Sequence, residues 1–108
     1  MADLIKLQKL MDDIAEWSDK TFGDGKRTIS IAYHLKKEID ELIEDLECNN
    51  TKETIDEFSD CFMLLFDCAS HYGLKAHDIW LFCQRKLEIN KSRKWGRPDK
   101  NGVVEHIY

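Results

Sequence analysis

The sequence is poor in the residues that interrupt helices: one proline and five glycines in 108 residues, with few β-branched side chains. That scarcity excludes a sheet as the main architecture and leaves long helices as the default. Long apolar runs are also lacking. The longest, Cys61 to Phe66, has six residues, against roughly 18–20 for a helix that crosses a bilayer. The first 13 residues already carry acids and show no small-residue cleavage site, so they do not read as a secretory signal and the chain is expected to stay in the cytosol. None of the four cysteines forms a C-x-x-C pair, which argues against a zinc knuckle and for buried, reduced thiols in apolar helices. Positive charge is in deficit. A net charge of −5 argues against the clustered basic surface that a nucleic-acid polymer requires. Neither G-x-x-x-x-G-K-[ST] nor G-x-G-x-x-G occurs, so any phosphate must be held without a glycine-rich loop. Glu-x-x-His is missing as well, which argues against a ferritin-like di-iron site.

What remains is a single 108-residue domain that divides into four helical stretches. The first is expected over about Asp3 to Lys20, with Leu4, Leu7, Met11, Ile14 and Ser18 at helical spacing, ending where Gly23 and Gly25 permit a turn. The second starts at Thr28 or Ser30 as N-cap and runs to about Leu46 along a stripe of Ile31, Leu35, Ile39, Leu42 and Leu46. Thr51 and Thr54 offer caps for a third helix that runs to about His71 with Ile55, Phe58, Phe62 and Leu65 as its stripe. A fourth covers Ala76 to Lys91, followed by a turn-rich tail. Short connections make a four-helix-bundle-type, all-α fold the expectation. The all-round apolar segment Cys61–Phe66 points to a homo-oligomer, dimer or tetramer.

The chemistry lies in the acids. On a helical wheel His34, Glu38, Glu41 and Asp45 share a sector of roughly 60° beside the apolar stripe. Glu38 and Glu41 are spaced i, i+3, and Glu57 and Asp60 repeat that spacing on the next helix. Like charges so placed repel unless a cation lies between them. Two antiparallel helices would bring the two pairs face to face. An oxygen-only ligand set suits Mg²⁺, with Mn²⁺ as a substitute. Solvated helix faces also carry such pairs, and spacing alone leaves that alternative open. On the fourth helix Lys86, Asn90 and Arg93 fall at i, i+4 and i+7, giving one face two phosphate-binding cations and an amide. Trp17, Phe22 and Trp95 are candidates to stack on a base, with Trp17 favoured. His34 is a candidate substrate contact. Arg27 has no required partner, and His71 and His77 read as ordinary helix-end residues.

The runs HLKKEIDEL, ETIDEFSD and KLEINKSRKWGRP together resemble the all-α nucleotide pyrophosphohydrolases of the MazG-like superfamily. Their signature of E-x-x-E, a spacer, E-x-x-D and K-x-x-x-N-x-x-R is present as Glu38/Glu41, fifteen intervening residues, Glu57/Asp60, then Lys86, Asn90 and Arg93. Glu16-Trp17-Ser18, Thr21-Phe22-Gly23, His34-Leu35 and Arg93-x-Trp95 are most similar to the dATP/dGTP pyrophosphohydrolase branch. The resemblance spans roughly Ile14 to Ile107. It implies Mg²⁺-dependent cleavage of a (deoxy)nucleoside triphosphate, purine by preference, between the α and β phosphates. Glu38, Glu41, Glu57 and Asp60 would be metal ligands and Glu41 also the general base. Lys86, Asn90, Arg93, Trp17 and His34 would hold the nucleotide. Two other readings stay open: hydrolysis of another dNTP (dUTP, dCTP or a modified nucleotide), or a non-enzymatic helical interaction module.

Overall fold

Helix α1, Ala2–Phe22, α2, Thr28–Cys48, α3, Thr51–Tyr72, and α4, Ala76–Ser92, follow one another in a computed structural model that describes residues 2–108. No strand forms among the described residues. Trp95 and His106 make one isolated antiparallel bridge. Among the described residues no helix is long and apolar enough to cross a membrane.

The helix ends show how the sequence sets these lengths. Asn49 closes α2 in the left-handed region at φ 57°, a conformation that asparagine tolerates better than most residues. Asn50 then caps α3 by accepting from the Glu53 amide. The expected caps are therefore displaced. Thr54 donates its hydroxyl to the Asn50 carbonyl, so it back-bonds inside the helix, while Ser30 donates to the Arg27 carbonyl and leaves Arg27 at the N-cap of α2 without a side-chain cap. At the other end of α3, Gly73 takes φ 104° and returns its amide to Ser70. A residue with a Cβ would be strained there.

The chain forms two compact units, one running to His77 and the other from Asp78 to Tyr108. In the first, α3 packs against both α2 and α1. Both pairings are antiparallel. Cys68 faces Thr28 and Glu57 lies by Glu38 on the α2 side, while Asp67 meets Ser18 and Ala76 meets Gln8 on the α1 side. The core consists of Met11, Ile14, Ile31, Leu42, Cys61 and Ala76.

The expected stripe of α3 points the other way. Ile55, Phe58, Phe62 and Leu65 are all exposed in the chain by itself, and Ile39 and Leu46 of α2 are exposed too. The residues that α3 turns inward are Cys61, Leu64, Asp67 and Cys68, an arc that also contains Glu57 and Asp60 by helical geometry. The physical reason is that α3 has two partners and presents to them the face bearing its acids, so the aromatic stripe is left outside. The cysteines divide accordingly. All four are free, with Cys61 buried and Cys68 half-buried, while Cys48 and Cys83 are exposed rather than buried as expected.

The second unit holds the rest of α4 and a tail that doubles back on itself. The Lys94 amide donates to the Tyr108 carbonyl, the Ile107 amide donates to the Lys94 carbonyl, and Gly96 donates to the Glu105 carbonyl at 2.8 Å. A Cβ on Gly96 would lie 3.3 Å from that carbonyl oxygen, which explains glycine at this position. Asp99 ties the tip of the turn by accepting from the amides of Asn101 and Val103.

Candidate functional site

Three carboxylates converge between α2 and α3. Glu38, Glu41 and Glu57 each offer an oxygen, and those oxygens lie within 4.8 Å of one another. The i, i+3 spacing brings Glu38 and Glu41 together on α2, and the antiparallel neighbour supplies Glu57. Asp60 stands apart from that trio and lines the adjoining cavity beside Glu38. His34 Nε2 reaches to 3.4 Å from Glu38 Oε1, one turn along α2.

The electrostatics record the crowding. Burial and the two facing glutamates push the Glu57 carboxyl up to about 7. Glu41 is also raised, chiefly by its contact with Glu38. Burial and the same acids push the neighbouring Cys61 thiol up. Meanwhile Glu38 Oε2 and Glu57 Oε2 are buried and accept no hydrogen bond. A buried carboxylate oxygen without a donor is costly, and a cation bound between the acids would relieve both the cost and the repulsion. All the donors are hard oxygens, the set that Mg²⁺ or Mn²⁺ takes. The residues present fit such an ion.

Next to the acids lies a cavity of about 150 Å³ lined by Ile14, Trp17, Phe22, His34, Glu38, Asp60, Met63, Leu64 and Asp67. The first helix contributes the aromatic wall. Trp17 and Phe22 meet edge to face, 5.5 Å between centroids, a favourable geometry for paired rings. Both remain more than half exposed, so their faces stay available to a flat ligand. Of the residues singled out in the sequence, Trp17, His34, Glu38 and Asp60 thus share one cavity, with Glu41 and Glu57 joined to it through Glu38.

Lys86, Asn90 and Arg93 belong to the second unit. Asn90 is the fixed point there: its side-chain oxygen accepts from Arg93 Nη1 at 3.4 Å and its carbonyl accepts from the Trp95 indole at 3.0 Å. Trp95 also packs its ring edge to face with His106. It holds the tail in place within this unit.

A buried polar network beside the cavity escaped the sequence reading. Asp67 is buried, and its Oδ2 accepts a 2.5 Å hydrogen bond from the equally buried Ser18 hydroxyl. Arg27 donates to Ser18 Oγ at 2.9 Å and pairs with Asp19 at 2.8 Å. His71, far from being an ordinary helix-end residue, lies between Asp19 and Asp67. Its Nε2 is 2.7 Å from Asp19 Oδ1 and its Nδ1 is 2.8 Å from the Asp67 carbonyl oxygen. Burial pulls the imidazole down, but the Asp67 carbonyl and the Asp19 carboxylate outweigh it and leave the ring raised. Bonds from His71 and Arg27 hold Asp19 below the usual carboxylate range. One signal was available in the sequence: Ser18 continues the buried stripe of α1, and a hydroxyl at a core position needs a partner.

Comparison with known proteins adds an independent line. A family model described as dATP/dGTP pyrophosphohydrolase matches residues 10–108. A curated protein, the dATP/dGTP diphosphohydrolase of Cyanophage S-2L, is 32% identical over 99 residues, which is 92% of this chain and 86% of that protein. No solved structure matches.

Proposed function

The chain belongs to the dATP/dGTP pyrophosphohydrolase family, and from that membership we propose that it hydrolyses purine deoxynucleoside triphosphates to the monophosphate and pyrophosphate in a Mg²⁺-dependent reaction. The observation that carries this reading is the convergence of Glu38, Glu41 and Glu57 beside a cavity walled by Trp17 and Phe22. Acids gather where the phosphates would lie, and flat apolar surface lies where a base would lie.

Glu38, Glu41, Glu57 and Asp60 are the residues that would hold Mg²⁺, with Mn²⁺ as a substitute. Bound there, the ion supplies charge neutralisation for the triphosphate and a more acidic water. Glu41 is the exposed member of the trio, and its neighbour Glu38 raises its proton affinity, so its carboxylate is suited to take the proton of the attacking water. Trp17 and Phe22 orient the base by stacking. His34, paired with Glu38, stands in the cavity wall where a sugar or phosphate oxygen would pass. By the resemblance to the family signature, Lys86 and Arg93 would meet the charge that builds on the phosphates, and Asn90 accepts from Arg93. The outward stripe of Phe58, Phe62 and Leu65 suits self-association, which sedimentation of the purified chain would measure.

The test is a panel of canonical and modified dNTPs incubated with Mg²⁺ or Mn²⁺ and assayed for pyrophosphate. Release from dATP and dGTP is expected. Absence of release from every nucleotide would overturn the enzymatic reading, and release from pyrimidines alone would overturn the purine assignment.

A further inference from the structure

Asp67 is a carboxylate that the fold buries and leaves half engaged. Its side chain is 5% exposed. Oδ2 accepts from Ser18, yet Oδ1 is buried and accepts no hydrogen bond. His71 Nδ1 comes to 3.0 Å from Oδ1, but the hydrogen bond of that nitrogen goes to the Asp67 carbonyl oxygen at 2.8 Å. A buried acceptor left without a donor costs about 1–3 kcal/mol, and more when charged. Native structures keep such groups rarely, and a donor arriving with a ligand is one reason to keep one.

The position of Asp67 says which part of a ligand would bring that donor. Both Asp60 and Asp67 line the 150 Å³ cavity. They lie seven residues apart on α3, so they point within roughly 20° of one another and are separated by about 10 Å along the axis. Asp60 lies in the cavity wall beside Glu38, at the end nearer the acid cluster where the phosphates belong, and Asp67 is two turns away. A second hollow of about 270 Å³ shares Phe22, His34, Leu64 and Asp67 with the first. A cavity near 150 Å³ takes one aromatic ring, and the adjoining hollow leaves space for a second fused ring. Trp17, Phe22, Met63 and Leu64 supply the apolar walls such a ring system needs. Asp67 is part of the wall of both spaces, and its carboxylate can accept a hydrogen bond but not donate one.

We infer that Asp67 determines base specificity, its Oδ1 accepting a hydrogen bond from the exocyclic amino group of the purine. The inference rests on the reading of the chain as a dATP/dGTP pyrophosphohydrolase. It names the residue that tells an amino-bearing base from its amine-free analogue. Ser18 and Arg27 act as positioning residues: Arg27 donates to Ser18 and Ser18 to Oδ2, which fixes the carboxylate while Oδ1, 3.0 Å from His71 Nδ1, accepts no hydrogen bond. Discrimination of this kind comes from the unpaired buried acceptor that the wrong base leaves behind.

The test compares kcat/KM of the full chain, with Mg²⁺, on two substrate pairs: dGTP against dITP, and dATP against the triphosphate of deoxy-purine riboside. At least one amino-bearing substrate should be preferred by about tenfold or more, and Asp67→Asn should bring that ratio close to one. Loss of activity on all four substrates in parallel, with the ratios unchanged, would mean a structural role and overturn the inference. So would a wild-type enzyme with no preference in either pair. Because Asp67→Asn can disturb folding, calorimetric titration of the wild-type chain with dGMP, dIMP, dAMP and deoxy-purine riboside monophosphate provides a second readout. Tighter binding of an amino-bearing monophosphate supports the inference even if no triphosphate is hydrolysed, and equal binding sinks it even if pyrophosphate is released.

Discussion

The Nε2 atom of His71 lies 2.7 Å from Asp19 Oδ1 and so ties α3 to α1 through a charge pair. His71 is raised above its ordinary 6.5 and Asp19 lowered below its ordinary 3.8. For the histidine, the folded protein binds a proton more tightly than the unfolded chain. Its contribution to stability is therefore complete below about pH 6.5 and fades as pH rises through the folded value. For the aspartate the contribution is present above 3.8 and is lost as pH falls through its lowered value. Thermal melts of wild type and His71→Ala should differ by several degrees more at pH 5.5 than at pH 8.5, and an equal difference at both would refute the pairing.

Glu57 makes the metal-free protein sensitive to pH in the same direction. Its carboxyl is raised from 4.5 to about 7, so the folded state holds a proton that the unfolded chain has released. Stability falls as pH rises from 4.5 through about 7. Melting in EDTA should show this decline, and Glu57→Gln should flatten it and raise the melting temperature at pH 8. Added Mg²⁺ should stabilise wild type more at pH 8 than at pH 5.5, and Glu57→Gln much less. The same variant should lose activity by at least about 100-fold. Full activity in Glu57→Gln would remove it from the metal set.

Trp17 is expected to act on binding. Replacing it with alanine removes a stacking surface of about 1–3 kcal/mol per base, so KM should rise roughly 5–150-fold with a smaller effect on kcat. The indole is more than half exposed, so the melting temperature should move little. A kcat loss with unchanged KM would argue against a base contact.

Met11 is the hub of the small core, with no exposed surface. Met11→Ala should cost about 2–5 kcal/mol in stability, measured by urea denaturation in the presence of Mg²⁺. A loss under about 1 kcal/mol would mean that the site closes over the cavity, contrary to ordinary core packing.

Much of this was legible in the sequence. Helix number followed from sparse glycine and proline and from period, and the boundaries fell within a few residues. The convergence of Glu38, Glu41 and Glu57 followed from i, i+3 spacing on two neighbouring helices, while Asp60, expected with them, stands apart in the cavity wall. The inward face of α3 was misread because Phe58, Phe62 and Leu65 outweigh Cys61, Leu64 and Cys68 in hydrophobicity. Hydropathy pattern takes the greasiest stripe as the core, yet a helix with two partners and a set of acids to present need not bury it. The Asp67 network was hidden because its members are scattered from Ser18 to His71, and only the antiparallel packing of α1 on α3 assembles them. Caps at Asn50 rather than Thr51 or Thr54 depended on local competition among good capping residues.

The seven-residue interval between Asp60 and Asp67 turns α3 into a ruler. One residue inserted or deleted between them would swing one carboxylate about 100° around the axis and shift it about 1.5 Å along it, carrying it out of the cavity wall while leaving a perfectly good helix. Length changes in this chain should therefore be tolerated in the tail and in the turn around Gly25 long before they are tolerated in those two turns. A substrate whose recognised edge and reacting phosphate are spaced differently would meet the same gauge.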